Sequence, residues 1–115
     1  MIDFDGETAF TRHTLDALSA RTRAAIHNIA NQNVDGFKRM EVRFEDLLRD
    51  AAEKGVEESE VEPVVQRDMS GPPGVNNVVL MDELALLGKT SIMHDYMTRR
   101  AGSYFNQLNK AIFGR

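Results

Sequence analysis

The residues best suited to acid–base or metal chemistry in this chain are its three histidines, His13, His27 and His94. His13 and His27 lie fourteen residues apart, which is about 21 Å along a helix, so they cannot share one metal ion. Ser91, His94 and Asp95 have the residue types of a hydrolase triad, but adjacent helix positions point in different directions. Asp95 therefore cannot orient His94, and a polar helix face is the better interpretation.

Other signatures of catalysis or cofactor binding are absent from the sequence. It contains no cysteine, no HExxH motif and no EF-hand loop, and the Gly-Pro-Pro-Gly segment 71–74 lacks the lysine and hydroxyl of a phosphate-binding loop. The acidic run from Glu57 to Glu62 is typical of a solvated loop. We therefore predict that the protein is not an enzyme and binds no metal or cofactor.

Composition limits the remaining classes of function. A chain of 115 residues is at most one ordinary domain, and its net charge of −4 argues against a nucleic-acid binder. The basic C-terminal positions Arg99, Arg100, Lys110 and Arg115 have few aromatic neighbours for base stacking. No apolar run is long enough to insert in a membrane, and the acidic segment 1–7 is no Sec-type signal peptide. Composition alone favours a soluble cytoplasmic protein.

Two long helices must position most of the side chains in this chain. Over residues 7–33 apolar residues recur in a heptad-like seam formed by Leu15, Leu18, Ala25 and Ile29. A second seam runs through residues 78–113 and contains Leu84, Leu87, Phe105, Leu108 and Ile112, with Asn77 as its expected N-cap. Gly88 and Gly102 share a helix face, where they are either tolerated or allow close approach by a neighbouring helix.

The segment between these helices, residues 34–77, has shorter patterns. Met40, Val42 and Phe44 alternate with charged residues as in a half-buried strand, and a short helix follows to about Lys54. Valines around Pro63 favour a second strand, and residues 70–74 are loop-forming. We predict a mainly α single chain, 1–115, whose terminal helices pair as a coiled-coil-like hairpin with a short loop, strand and helix excursion between them.

The end of the first helix contains a distinctive segment, Asn-Ile-Ala-Asn-Gln-Asn-Val-Asp-Gly-Phe-Lys-Arg at residues 28–39. Locally it predicts a helix stop: asparagine side chains cap free carbonyls, and Gly36 adopts the positive φ of the turn. The same segment resembles N-I-A-N-x-N-T-P-G-Y-K-R of bacterial flagellar rod and hook proteins. The matching positions are Asn28, Ile29, Ala30, Asn31, Asn33, Gly36, Lys38 and Arg39. Val34-Asp35 replaces the usual Thr-Pro, and Phe37 replaces the usual tyrosine.

A second resemblance lies in the last third of the chain. Residues 76–80, Asn-Asn-Val-Val-Leu, together with Glu83-Leu84-Ala85, Leu87, Phe105, Leu108 and Ala111-Ile112, are similar to the C-terminal helix of proximal rod subunits. His94 and Gly88 depart from that pattern, where tyrosine and alanine are usual. The two matched segments cover both ends of the chain.

The resemblance implies a structural subunit of the proximal rod of the flagellar basal body. Such subunits polymerise through paired terminal helices into a hollow drive shaft that transmits motor torque. The implied partners are other copies of the chain, neighbouring rod proteins, basal-body ring or adapter proteins and the type III export gate. The implied location is the periplasmic rod, reached without a cleaved signal peptide. Asn28, Asn31 and Asn33 either cap their own helix or bond neighbouring subunits.

Export also has a sequence counterpart within this resemblance. Early rod and hook subunits share a Phe-x-x-x-apolar segment that docks on the export gate, and Phe44 to Leu48 has this form. The two side chains lie one helical turn apart, which also suits a core helix of the middle region.

Two alternatives remain open from the sequence. Within the family, the chain is another rod or hook axial subunit. From a different class, it is a cytoplasmic helical adaptor that binds a partner through its apolar seams.

Overall fold

The computed structural model describes residues 4–114. Residues 1–3 of the N-terminal segment and Arg115 of the basic stretch lie outside the described residues. The elements in chain order are α1 (Phe4–Ala30), β1 (Met40–Arg43), α2 (Glu45–Glu53), a 3₁₀ turn (Glu58–Glu60), β2 (Val64–Arg67) and α3 (Leu80–Phe113). The structure confirms the predicted fold class, a mainly helical chain with two long terminal helices packed together and a short excursion between them.

The two long helices form an antiparallel hairpin. Arg100 of α3 contacts Glu7 in the first turn of α1, with 3.5 Å between Nη2 and Oε1. At the other end of the hairpin, Glu83 in the first turn of α3 pairs with Arg39, which follows α1. The residues of α3 that are buried repeat every seven positions, namely Glu83, Thr90 and Met97. This period is the one expected for helices packed along a coiled-coil-like seam.

The middle region packs chiefly on another flank of α1. The core there contains the α1 residues Ala17 and Ala24, together with Val42, Phe44, Ala51 and Val61 from the middle region. Alanines at these α1 positions bring the backbones of β1 and the 3₁₀ turn close to α1, because a methyl group takes little space. Helix α1 is therefore covered on two sides, by α3 and by the middle region.

The excursion contains a two-stranded antiparallel sheet. Met40 pairs with Arg67 and Val42 with Val65. Val42 is buried, while its neighbours Glu41 and Arg43 are only half-buried. This alternation is the one that the sequence predicts, and it places one face of β1 against α1.

Three local expectations from the sequence differ from the structure. Helix α1 ends at Ala30, because turn hydrogen bonds take over from Asn31 onward, and α3 begins at Leu80. The expectation of Asn77 as N-cap is wrong: Val79 occupies that position, and no side chain caps it. Close helix approach at Gly88 and Gly102 is not seen, since nothing in the described residues lies within 4 Å of a Cβ built at either position.

Helix α3 is longer than its partner. It continues from Arg100 to Phe113, thirteen residues or about 20 Å, whereas the described part of α1 extends three residues beyond Glu7 to Phe4. Phe105, Ile112 and Phe113 on this extension are exposed. Among residues 4–114, the helices lack the combination of length and apolar character needed to cross a bilayer.

Candidate functional site

Asn28, the first residue of the signature segment, lies near the end of α1 and is completely buried. Its Nδ2 donates a 2.9 Å hydrogen bond to the Met40 carbonyl, and the Met40 amide donates a 2.7 Å bond to Asn28 Oδ1. The Asp68 amide bonds the Arg39 carbonyl, so the backbone groups of the next residue, Met40, face the opposite edge of β1. The Asn28 side chain thus takes the place of a neighbouring strand.

The same edge of β1 receives a second side chain from α1. Arg21 Nη2 donates a 3.1 Å hydrogen bond to the Val42 carbonyl, and the guanidinium also pairs with both carboxylate oxygens of Glu45 at the start of α2. The hydrogen bond from Arg21 lowers the pKa of Glu45. Asn28 and Arg21 together attach β1 and α2 to α1.

The turn after α1 is capped from within the chain. Asn31 Nδ2 donates a 2.8 Å hydrogen bond to the His27 carbonyl, one turn back in the helix. This is self-capping, the simpler of the two roles proposed for the asparagines. The burial of Asn28 is incompatible with bonds to a neighbouring subunit, so that role is wrong for Asn28. For the exposed Asn33 it stays a prediction.

Gly36 and Phe37 fix the path of the chain out of this turn. Gly36 has a φ of 74°, a conformation that costs other residues energy because of their Cβ. The Phe37 ring packs against the His27 ring, with centroids 5.7 Å apart, and against the guanidinium of Arg67, 5.1 Å from the ring centroid. The aromatic position of the signature therefore joins α1 to β2.

Asn76, just before α3, bonds the turn that follows α1. Its Nδ2 lies within hydrogen-bond distance of three carbonyl oxygens, those of Asn31, Gln32 and Val34, at 2.9, 3.2 and 2.7 Å. Its Oδ1 accepts a 2.8 Å bond from the Val78 amide. This one side chain therefore ties the turn after α1 to the segment that enters α3.

Asn77 bonds the segments that precede β1 and follow β2. Its Oδ1 accepts a 2.7 Å bond from the Arg39 amide, and its Nδ2 donates to the Asp68 carbonyl at 2.6 Å. These bonds explain why Asn77 does not cap α3: its amide is used to hold β1 and the segment after β2. Lys38, which is also buried, donates from Nζ to the carbonyls of Ser70 and Pro72 at 3.1 and 2.9 Å.

Arg39 adds ion pairs with Glu83 and Asp68 to this network. Its Nε donates a 2.7 Å bond to Glu83 Oε1, and its Nη1 lies 3.3 Å from Asp68 Oδ2. Burial lowers the pKa of Arg39, but bonding to Glu83 and Asp68 outweighs burial and leaves the pKa raised. Glu83 is 1% exposed, and its Oε2 has no hydrogen-bond partner among the described residues. Breaking such a pair on one side leaves a buried charge uncompensated, which is strongly destabilising.

We call this network the junction; it comprises the side chains of Asn28, Lys38, Arg39, Asn76, Asn77 and Glu83. It fastens the end of α1, both strands and the start of α3 at one end of the hairpin. The sequence singled out three of its members within the signature segment. It missed the bonding roles of Asn76, Asn77 and Glu83. The available signal was the pair of adjacent asparagines and an acid seven residues before Thr90 and fourteen before Met97.

The predicted assembly seams have different surroundings on the two helices. On α1, Leu18 and Ala25 are buried, and Leu15 and Ile29 are half-buried, so packing within the chain already uses this seam. On α3, Leu87 and Leu108 are half-buried, whereas Leu84, Phe105 and Ile112 are exposed. The α3 seam is therefore the one that remains accessible. Ala30, at the end of α1, is also exposed.

The predicted export segment, Phe44 to Leu48, lies in the core. Phe44 is 3% exposed, and Leu48 is half-buried and packs against the same cluster. The Leu48 amide donates a 2.9 Å bond to the Phe44 carbonyl, which places them one helical turn apart as predicted. In the folded chain Phe44 is not available to a partner.

The residues of the rejected triad all lie on α3. Ser91, His94 and Asp95 line a cleft together with Thr22. His94 Nδ1 lies 3.4 Å from Thr98 Oγ1, one turn further along α3. Within the part of the chain that the structure describes, no group of three His, Cys, Asp or Glu side chains could hold a metal ion.

The fold and the junction define a mainly helical protein: a long hairpin fastened at one end by amides and an ion pair. No known family model matches the chain. The chain is 28% identical over 131 aligned positions to the flagellar basal body rod protein FlgB of Borreliella burgdorferi, covering 95% of this chain and 97% of that protein. This similarity confirms the resemblance predicted from the sequence and supports a FlgB-like flagellar rod protein. It also supports a place in the flagellar basal body and implies a role other than catalysis.

Proposed function

We propose that this chain is a structural subunit of the proximal rod, which polymerises through its terminal helices into the hollow drive shaft that transmits motor torque. The observation that carries the proposal is the nearly end-to-end similarity to FlgB. The other copies, neighbouring rod proteins and the ring or adapter proteins of the basal body are its partners. Its location is the periplasmic rod, and it is exported through the type III gate without a cleaved signal peptide.

The exposed apolar surface of α3 supports assembly. Phe105, Ile112 and Phe113 are 50%, 63% and 68% exposed on the extension beyond the described part of α1. Contiguous exposed apolar surface in a soluble chain typically marks an interaction site. Because the extension and the hairpin are different surfaces, contact between them is heterologous, and such contacts propagate into helical assemblies when they do not close.

Isolation of basal bodies from the native bacterium tests the proposal directly. A tagged copy of the chain should co-purify with the rod, and deletion of its gene should abolish rods and swimming. Absence of the tagged chain from basal bodies that contain complete rods would refute the proposal.

A substitution on the extension tests the role of α3. Phe105→Asp should leave the isolated fold intact, because the side chain is half exposed, but should prevent rod assembly by placing a charge in an apolar contact. Ser103→Asp, on an exposed position of the same extension, is the matched control and should assemble. Equal assembly of the two variants would show that the extension is not a subunit contact.

The export segment is part of the same proposal. Since Phe44 is buried in the folded chain, docking on the gate requires a chain that is not yet folded in this region. Phe44→Ala should therefore lower secretion, whereas Val42→Ala, also at a buried core position, should not. Equal secretion of the two variants, measured in the culture medium of a hook-deficient strain, would assign Phe44 to the core alone.

A further inference from the structure

A groove separates the C-terminal half of α1 from strand β2. Its volume is about 380 Å³, and its apolar floor contains Ala24, Met40 and Val65. Its rim carries three basic side chains, Arg23, His27 and Arg67. Among the described residues, no acidic side chain lines this basic groove. The combination suits a ligand segment that carries both carboxylates and an apolar side chain.

Arg67 and His27 of the rim are held in place, and Arg23 is exposed. Arg67 donates from Nη1 to the Lys38 carbonyl at 2.8 Å, and its guanidinium lies over the Phe37 ring. The His27 ring packs on the same phenyl ring. Arg23 is exposed and forms no ion pair within residues 4–114. Side chains that are already ordered lose less entropy when they bind.

The complementary charge lies on residues 50–62, which we call the acidic segment. It contains six carboxylates and one lysine, a net charge of −5 against −4 for the whole chain. The six carboxylates, Asp50, Glu53, Glu57, Glu58, Glu60 and Glu62, are all exposed, and none has an ion-pair partner within the described part of the chain. Val56, in the same segment, is 43% exposed.

The acidic segment cannot occupy the groove of its own chain. Val61 is buried in the core against α1, and β2, which lines the groove, begins three residues later at Val64. The groove and the acidic segment are therefore two separate, oppositely charged surfaces of one molecule. Each remains open to another molecule.

We propose that the basic groove of one copy receives the acidic segment of a second copy. The inference rests on the proposed assembly of many copies and adds a charge-guided contact between their middle regions. Carboxylates of Glu58 and Glu60 pair with the guanidinium groups of Arg23 and Arg67, and Val56 supplies the apolar contact to the floor. Like charges keep two grooves, or two acidic segments, from meeting, so the contact also fixes which surfaces pair.

Sedimentation velocity of the purified full chain tests this contact. Between 0.1 M and 1 M NaCl, where the Debye length falls from about 10 Å to about 3 Å, self-association should weaken by about tenfold or more. At 0.1 M, Arg23→Glu should weaken it by about tenfold, and the matched control Arg99→Glu by no more than about twofold. Arg23 and Arg99 are both exposed and form no ion pair among the described residues.

Mixing two variants supplies the decisive result. The doubly substituted Glu58→Lys, Glu60→Lys chain should associate weakly alone, as should Arg23→Glu. An equimolar mixture should recover association, because each chain retains the surface that the other has lost. Association that is absent, independent of salt, equal for Arg23→Glu and Arg99→Glu, or not restored on mixing would overturn the contact. The rod-subunit proposal would then still stand on the presence of the chain in basal bodies.

Discussion

Replacing Asn28 by alanine should remove the bond that attaches the sheet to α1. The substitution leaves the Met40 amide and carbonyl without their 2.7 and 2.9 Å partners. Each unpaired buried backbone group costs about 1–3 kcal/mol. Met40 is half-buried, so water can partly replace the lost partners. For the two groups together, the expected loss in the free energy of unfolding is about 2–4 kcal/mol. This is a large share of the ~5–15 kcal/mol that stabilises a typical domain.

Urea unfolding followed by far-UV circular dichroism measures this loss. Asn28→Asp is a useful second variant, because it keeps an acceptor for the Met40 amide but opposes a carboxylate oxygen to the Met40 carbonyl. It should be at least as destabilising as alanine. Asn33→Ala is the matched control from the same segment; Asn33 is exposed, and its loss should cost less than about 0.5 kcal/mol.

Unfolding of Asn28→Ala at the same urea concentration as Asn33→Ala, with an unchanged slope, would refute this role of Asn28. That result would mean that the Asn28 amide contributes no more than the water that replaces it. It would also remove the physical reason for an asparagine at this position of the signature.

Three further outcomes follow from the junction and the helices. The bonds from Ser70 and Arg39 lower the pKa of Asp68. The contribution of Asp68 to stability is therefore present above its unfolded-state pKa of about 3.9 and is lost as the pH falls through the lower folded-state pKa. Asp68→Asn should flatten the acid limb of a stability–pH curve, measured by urea titration between pH 2 and 7. Gly36→Ala should cost about 1–2 kcal/mol in the free energy of unfolding, because φ there is 74°. Gly88→Ala should gain up to about 1 kcal/mol, because that helical position is exposed and open; a loss of similar size would indicate an unrecognised contact.

Local patterns in the sequence predicted the elements of this fold because those patterns reflect short-range physics. The apolar periodicity of α1 and α3, the alternation of Met40, Val42 and Phe44, and the helix stop at Gly36 all depend on neighbours a few residues away. The structure retains each of these elements, with ends shifted by two or three residues at the caps. Helix ends shift readily because their final bonds compete with turn bonds.

The bonding partners within the junction could not be predicted from the sequence, because sequence patterns report only interactions between residues close along the chain. Asn76 bonds carbonyls 42 to 45 residues earlier, and Arg39 meets Glu83 at a separation of 44 residues. Because Glu83 points into the hairpin, the buried face of α3 differs from the seam predicted from its apolar residues. A hydrophobic pattern selects Leu84, whereas the buried position belongs to its acidic neighbour, whose charge is met by a residue outside the helix.

The long separations within the junction set an order of events for the growing chain. Asn28 can find Met40 across twelve residues, so α1 and β1 can join while later residues are still being made. The side chains of Asn76, Asn77 and Glu83 arrive only in about the last third of the polypeptide. Closing so large a loop costs entropy that only the finished set of bonds repays. Until then the molecule is α1 with a small sheet attached, and α3 is not yet held against α1.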